Sequence, residues 1–198
     1  MAKHIRTTVV AALATASVAL GTLAVAGPAL GAGGGRAADT KAKVRNALSA
    51  APASVARKAA VMDWPAEEGG AMPLLRKGTN GFTCIPNDPM TPTNDPQCLN
   101  PAAMEWMDAW MSRTTPHLKT PGLAYVLQGC TVASNTDAFA MEPPKGKTWV
   151  EEGPHVMIFP TGKLDRRVYP TDPTSGVPHI RWAGTPYEHI VVPVPALT

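Results

Sequence analysis

The chain of 198 residues is short of the groups on which familiar catalytic signatures depend, with 3 Cys, 5 His and only 17% charged side chains. It contains no G-x-S-x-G elbow, no phosphate-cradling glycine loop of the Walker type, no G-x-G-x-x-G turn and no C-x-x-C-H sequence. These absences exclude the usual serine esterases, nucleotide binders, dinucleotide enzymes and c-type haem proteins. A collagen-like chain is excluded by the lack of a G-X-Y period, and a charged disordered one by a hydrophobic content of 44%. Proline runs the other way: 21 residues are about twice the usual share, so long uninterrupted helices are not expected over much of the chain.

Residues 1–26 read as an export signal. Lys3 and Arg6 open it, an apolar run extends from Thr7 to Val25, and Ala24-Val25-Ala26 supplies the small-x-small pattern that a signal peptidase accepts. Cleavage after Ala26 leaves 172 residues, about one domain, and no later segment approaches the roughly 18 apolar residues of a membrane span. The mature protein is therefore expected to be soluble and periplasmic or extracellular. Residues 27–38 follow as a Gly- and Ala-rich flexible leader, and residues 39–198 as a single domain.

Charge is unevenly spread. Between Arg36 and Ala60 six basic residues face Asp39 alone, whereas the chain from Val61 onward is net acidic. Such an arm can make weak contact with anionic surfaces or lie against its own acidic body, and the second reading is the simpler. With no aromatic residue among these charges there is no base-stacking platform, so nucleic acid is not an expected partner. Three cysteines in an exported chain allow three pairings. Cys84 with Cys98 is preferred because the Pro- and Asx-rich stretch between them gains most from a clamp. Cys130 is then a small side chain at the end of an apolar run, with no electropositive neighbour in the sequence.

Short helices are expected at Thr40 to Ser49 and Ala53 to Ala60, divided by Pro52. Asn100-Pro101 matches a helix N-cap with proline at the first position, so a third helix should run to about Arg113. Its Met104, Met107 and Met111 share a face with copper-compatible thioethers, but Trp106 and Trp110 crowd the same helix and favour a core stripe. Met72 to Leu75 and Gly81 to Ile85 flank Asn80-Gly81 and suggest a hairpin. Further strands are expected at Leu123 to Gln128, Thr148 to Val150, Val156 to Phe159, His179 to Trp182 and Tyr187 to Val192. Helices early and strands late indicate α+β, with a mainly antiparallel sheet, a few short helices and one disulfide-clamped loop.

The candidate chemistry sits at strand starts. His155 precedes one strand and Glu188-His189 another, so the two imidazoles could converge as divalent-metal ligands or as acid and base, with Asp137 as a third group. Consecutive strand residues face opposite ways, so Glu188 and His189 should not hold one ion together. The competing reading has both histidines bonded to nearby backbone, and Glu188 facing water or paired with Arg181. Asp88 and Asp95 could attract calcium, yet two Asn-Asp-Pro turns explain them more simply.

The segments Gly78–Cys84, Asp95–Leu99, Ala133–Asp137, Gly153–Ile158 and Trp182–His189 resemble a group of uncharacterised exported bacterial proteins. The likeness spans about residues 53 to 194, is consistent with the Cys84–Cys98 pairing, and carries no known activity. It departs at Cys130, where a small residue such as Gly is usual. The expected function is a non-catalytic binding or envelope-associated role, the alternative being a metal-assisted or acid/base enzyme built on His155 and His189.

Overall fold

The computed structural model describes residues 32–67 and 69–196, so the expected export signal lies outside the described residues. In chain order the elements are α1 (Ala32–Leu48), α2 (Ala53–Ala56), β1 (Ala60–Met62), β2 (Leu74–Arg76), β3 (Thr83–Ile85) and β4 (Gln97–Leu99). They continue with α3 (Pro101–Met111), β5 (Gly122–Val126), β6 (Cys130–Val132), β7 (Val150–Glu152), β8 (His155–Phe159), β9 (His179–Arg181) and β10 (His189–Pro193). Eight strands form one sheet in the order β2-β1-β3-β4-β5-β8-β10-β9, while β6 and β7 form a separate pair. Every pairing is antiparallel except that of β1 with β3. The fold is α+β, as the pattern of elements indicates.

The period-two alternation of strands divides the core into two faces. On one, Cys84, Cys98 and Val61 pack with Ala47, Ala50 and Ala51 of the α1 region. On the other, Ile85, Leu99, Ala124, Met157 and Phe159 pack against Ala103, Trp106 and Met107 of α3. The α3 helix starts where its sequence says it should: Asn100 Oδ1 accepts from Ala103 N at 2.9 Å and also from Leu123 N at 3.0 Å, so one side chain caps the helix and ties it to β5. The helix comes so close to β5 that a Cβ at Gly122 would lie 2.9 Å from Ala103 N. Met104, Met107, Met111, Trp106 and Trp110 all join this core, in keeping with a packing stripe.

Three expectations are corrected. β2 and β3 do not form a hairpin: β1 lies between them, pairing with β2 on one side and β3 on the other, so Asn80-Gly81 turns the chain without joining neighbouring strands. The second helix stops at Ala56 because Ala60 and Val61 leave it to form β1, where burial of Val61 and sheet pairing outweigh Ala helix propensity. The first helix begins at Ala32, so residues 32–38 of the expected leader are helical. The basic arm lies on the body, with Lys43 Nζ 2.7 Å from Asp63 Oδ2.

Cys84 and Cys98 are bonded, directly opposite one another in adjacent strands β3 and β4. The loop between them is organised by Asx contacts: Asp95 Oδ1 accepts from Asp88 N, Asp95 Oδ2 from Thr91 Oγ1, and Asn87 Oδ1 from Asp95 N. Both aspartates are therefore engaged in turn formation.

Candidate functional site: a tryptophan-lined cavity over a buried polar floor

Three strands, β8, β9 and β10, each open with a histidine: His155, His179 and His189, all about 1% exposed. Each ring places Nδ1 against the carbonyl two residues earlier, at 2.7 Å from Gly153 O, 3.3 Å from Val177 O and 3.0 Å from Tyr187 O. For His155 and His189 that contact puts the proton on Nδ1 and leaves Nε2 as the free lone pair. Burial, then the nearby Arg181 charge, lowers the pKa of His155 to about 4 and that of His189 to about 3, so both rings are neutral at pH 7.

His155 and His189 lie on the same sheet face but far apart along it. Pro193 is opposite His155 and Ile190 opposite Ile158, which places His189 beside Phe159, four residues from His155 along β8. At about 3.4 Å per residue along the strand and about 4.8 Å between strands, their Cα positions are separated by roughly 14 Å. The rings end in different surroundings. His155 Nε2 is 3.9 Å from both Glu152 Oε2 and Cys130 Sγ, whereas His189 is enclosed by Trp106, Phe159 and Trp182 with centroids 5.1 to 5.3 Å away. They do not form one metal or acid/base pair.

Asp137 and Glu188 are likewise committed elsewhere. Asp137 is exposed at the cavity wall and accepts from Phe139 N, away from His155. Glu188 accepts from Leu164 N and Gly184 N, so it stabilises a loop while half-buried at the edge of an open groove, and it does not pair with Arg181. That loop borders a broader groove of about 1110 Å³ that also passes His117, Lys163 and Arg166.

The partner of Arg181 is Glu152. Arg181 Nη2 donates to Glu152 Oε2, and His179 Nε2 donates to Glu152 Oε1 at 3.0 Å. Burial opposes ionisation of this carboxyl, but the Arg181 charge and the two histidines hold its pKa at about 2. The same Arg181 nitrogen lies 3.3 Å from Cys130 Sγ. The thiol thus has an electropositive neighbour after all, 51 residues away in the chain, where local sequence could not show it. Burial nevertheless pushes the thiol pKa up against the pull of Arg181. Gly129 makes this corner possible: at φ +80 it turns tightly into β6, and a Cβ there would sit 2.6 Å from Glu152 O.

Cys130, Glu152 and His155 bring their potential ligand atoms within 4.8 Å of one another. The guanidinium of Arg181 already contacts both Sγ and the carboxylate, so the cationic position in this cluster is filled by a side chain. A metal ion there would have to displace it or endure its repulsion.

Above this floor is a cavity of about 190 Å³ lined by all five tryptophans of the chain: Trp64, Trp106, Trp110, Trp149 and Trp182. The planes of Trp106 and Trp182 are 6° apart, and those of Trp110 and Trp182 9° apart, at centroid spacings of 6.0 and 6.3 Å. Trp182 holds its place at some cost. Its φ of 54° is rare for a bulky residue, and it is secured by bonds from its backbone N to Asn135 O and from Nε1 to Ser134 O. Met90 and Met141, 64% and 61% exposed, also line the cavity and mark its mouth.

Cys130, Arg181 and His189 line the cavity from below, with Glu152, His155 and His179 behind them. Two polar atoms of these residues, Arg181 Nε and His189 Nε2, are closed off from open space and have no hydrogen-bond partner among the described residues. Sequence reasoning named His155 and His189 but missed Glu152 and His179, and the pairing with Arg181 that it offered as one alternative for Glu188 is not formed. The one available signal was the repeated appearance of histidine at the head of late strands. No family model, curated protein or solved structure matches this chain.

Proposed function

We propose that this is an exported, non-catalytic binding protein that takes up a small, mostly apolar molecule in the tryptophan-lined cavity. The observation that carries the reading is the convergence of five tryptophans, dispersed from position 64 to position 182, on one space of about 190 Å³. Concave, largely apolar sites with a few convergent polar groups are the usual form of small-molecule pockets. A cavity of about 150 Å³ accepts benzene, so this one holds a single ring with one or two further heavy atoms. Export rests on the N-terminal sequence pattern, and the Cys84–Cys98 bond is in keeping with an oxidising destination.

Because the tryptophans are the walls, ligand entry should change their emission directly. Titrating the purified protein with a panel of single-ring compounds should give saturable changes in tryptophan fluorescence. A panel that leaves emission unchanged, with no competition among its members, would remove the reading.

A second reading, an enzyme, is favoured by one feature: Cys130 Sγ lies between His155 Nε2 and Arg181 Nη2, a base and a cation. In that version His155 accepts the thiol proton and Arg181 holds the thiolate. Turnover in a hydrolase screen, abolished in both Cys130→Ala and His155→Ala, would establish it in place of the binding role.

A further inference from the structure

We propose that the polar end of the bound molecule is a neutral hydroxyl on an aromatic ring, a phenol, read jointly by Arg181 Nε and His189 Nε2. The inference rests on the binding reading above and narrows it to a ligand class.

The two side chains are direct neighbours, since His189 and Arg181 are register partners on adjacent strands β10 and β9. Both are at least nine-tenths buried and both belong to the cavity lining; each keeps one polar atom that has no partner among the described residues and is covered by its neighbours, so a ligand group reaches it by parting the side chains over it. Those atoms are complementary. Arg181 Nε–H can only donate. His189, with its proton turned to Tyr187 O, can only accept at Nε2. A single oxygen that accepts one hydrogen bond and donates another satisfies both, and a hydroxyl is the smallest group that does so.

Other head groups fit less well. A carboxylate would set negative charge against the His189 lone pair and near Glu152, whose charge Arg181 already balances. An ammonium would meet the buried guanidinium. An ether accepts but cannot donate, and a methyl group does neither. The apolar part is specified by the walls: parallel indole planes favour a flat ring, and the volume leaves room for little more. That limit favours a free small phenol over a tyrosine side chain carried by a peptide.

The test is a ligand series on the unaltered protein, read by tryptophan fluorescence: phenol, toluene, anisole, benzoate and N-acetyltyrosinamide. Phenol should bind at least tenfold more tightly than toluene, because toluene leaves both buried polar atoms unpaired. Anisole should fall between them, and benzoate and N-acetyltyrosinamide should bind more weakly than phenol. In His189→Phe the order should invert, with toluene at least equal to phenol. Should that variant not fold, the series on the unaltered protein decides the matter alone. If toluene equals phenol there, the hydroxyl assignment falls while the binding role survives. Tightest binding by benzoate also overturns the assignment, and N-acetyltyrosinamide binding more tightly than phenol overturns the free-ligand part. No response from any compound removes the binding role itself.

Discussion

The two faces of the eight-stranded sheet are built on opposite terms. Beneath α1, small apolar residues close on a covalent cross-link: Ala47, Ala50, Ala59 and Val61 surround Cys84 and Cys98, all fully buried. Beneath α3 the sheet buries Arg181 and three histidines beside a row of tryptophans, and leaves two polar atoms unpaired. Burying unpaired polar groups costs stability, and a protein retains that cost where the groups have work to do. One face carries the covalent clamp; the other carries the candidate site.

The largest effect separating the faces should come from the ion pair. Arg181→Met leaves Glu152 buried without its cation and should cost about 3–5 kcal/mol in urea unfolding, as breaking a buried pair does. Adding Glu152→Gln should recover part of that loss. A double variant no better than the single one would mean that Arg181 acts by packing alone.

Next comes the cross-link. Replacing Cys84 and Cys98 by Ala opens a loop of about 15 residues and should lower stability by about 3 kcal/mol. Because the bond lies on the face away from the cavity, ligand affinity measured below the unfolding transition should be unchanged. A parallel fall in affinity would show that the faces are coupled through β4 and β5.

Acid should act on the α3 face. The folded-state pKa values of His155 and His189, about 4 and 3, lie below the ordinary 6.5, so between these limits the unfolded chain binds protons that the folded one refuses. Glu152 acts in the same direction, its folded value of about 2 lying below 4.5. Stability is therefore full above about pH 6.5 and declines as pH falls toward 3, by on the order of 3 kcal/mol for each buried histidine. His189→Phe should flatten that decline in acid-unfolding curves, whereas the Cys84/Cys98 double variant should lower the whole curve without changing its slope.

The smallest effect concerns Cys130. Its thiol makes two weak contacts, with Arg181 and His155, so Cys130→Ser should change stability by less than about 1.5 kcal/mol. Alkylation of the wild-type thiol should be slow at pH 7 and accelerate as pH rises toward the raised thiol pKa. A rapid reaction at pH 7 would instead favour the enzymatic reading.

What could be read from the chain was what depends on near neighbours. The Asn100-Pro101 helix start, the α+β order of elements, the Asx turns of the cysteine loop and the histidines at strand heads all follow from propensity, capping and turn chemistry within a few residues. Strand partnership did not follow. β1 slips between β2 and β3, although the sequence between the latter two offers a good turn, because pairing is decided by which faces bury what across the whole sheet.

The site belongs to the same class of long-range fact. From order and composition alone come five tryptophans, a cysteine with a dull local setting, and an arginine with Glu188 as its one suggested partner. Tertiary structure brings Glu152 to Arg181 across 29 residues and Cys130 to Arg181 across 51, and it gathers five indoles from four separate stretches around one cavity. The reason is physical: charge pairing and burial act through distances in space, and strand register sets those distances only once every neighbour is in place.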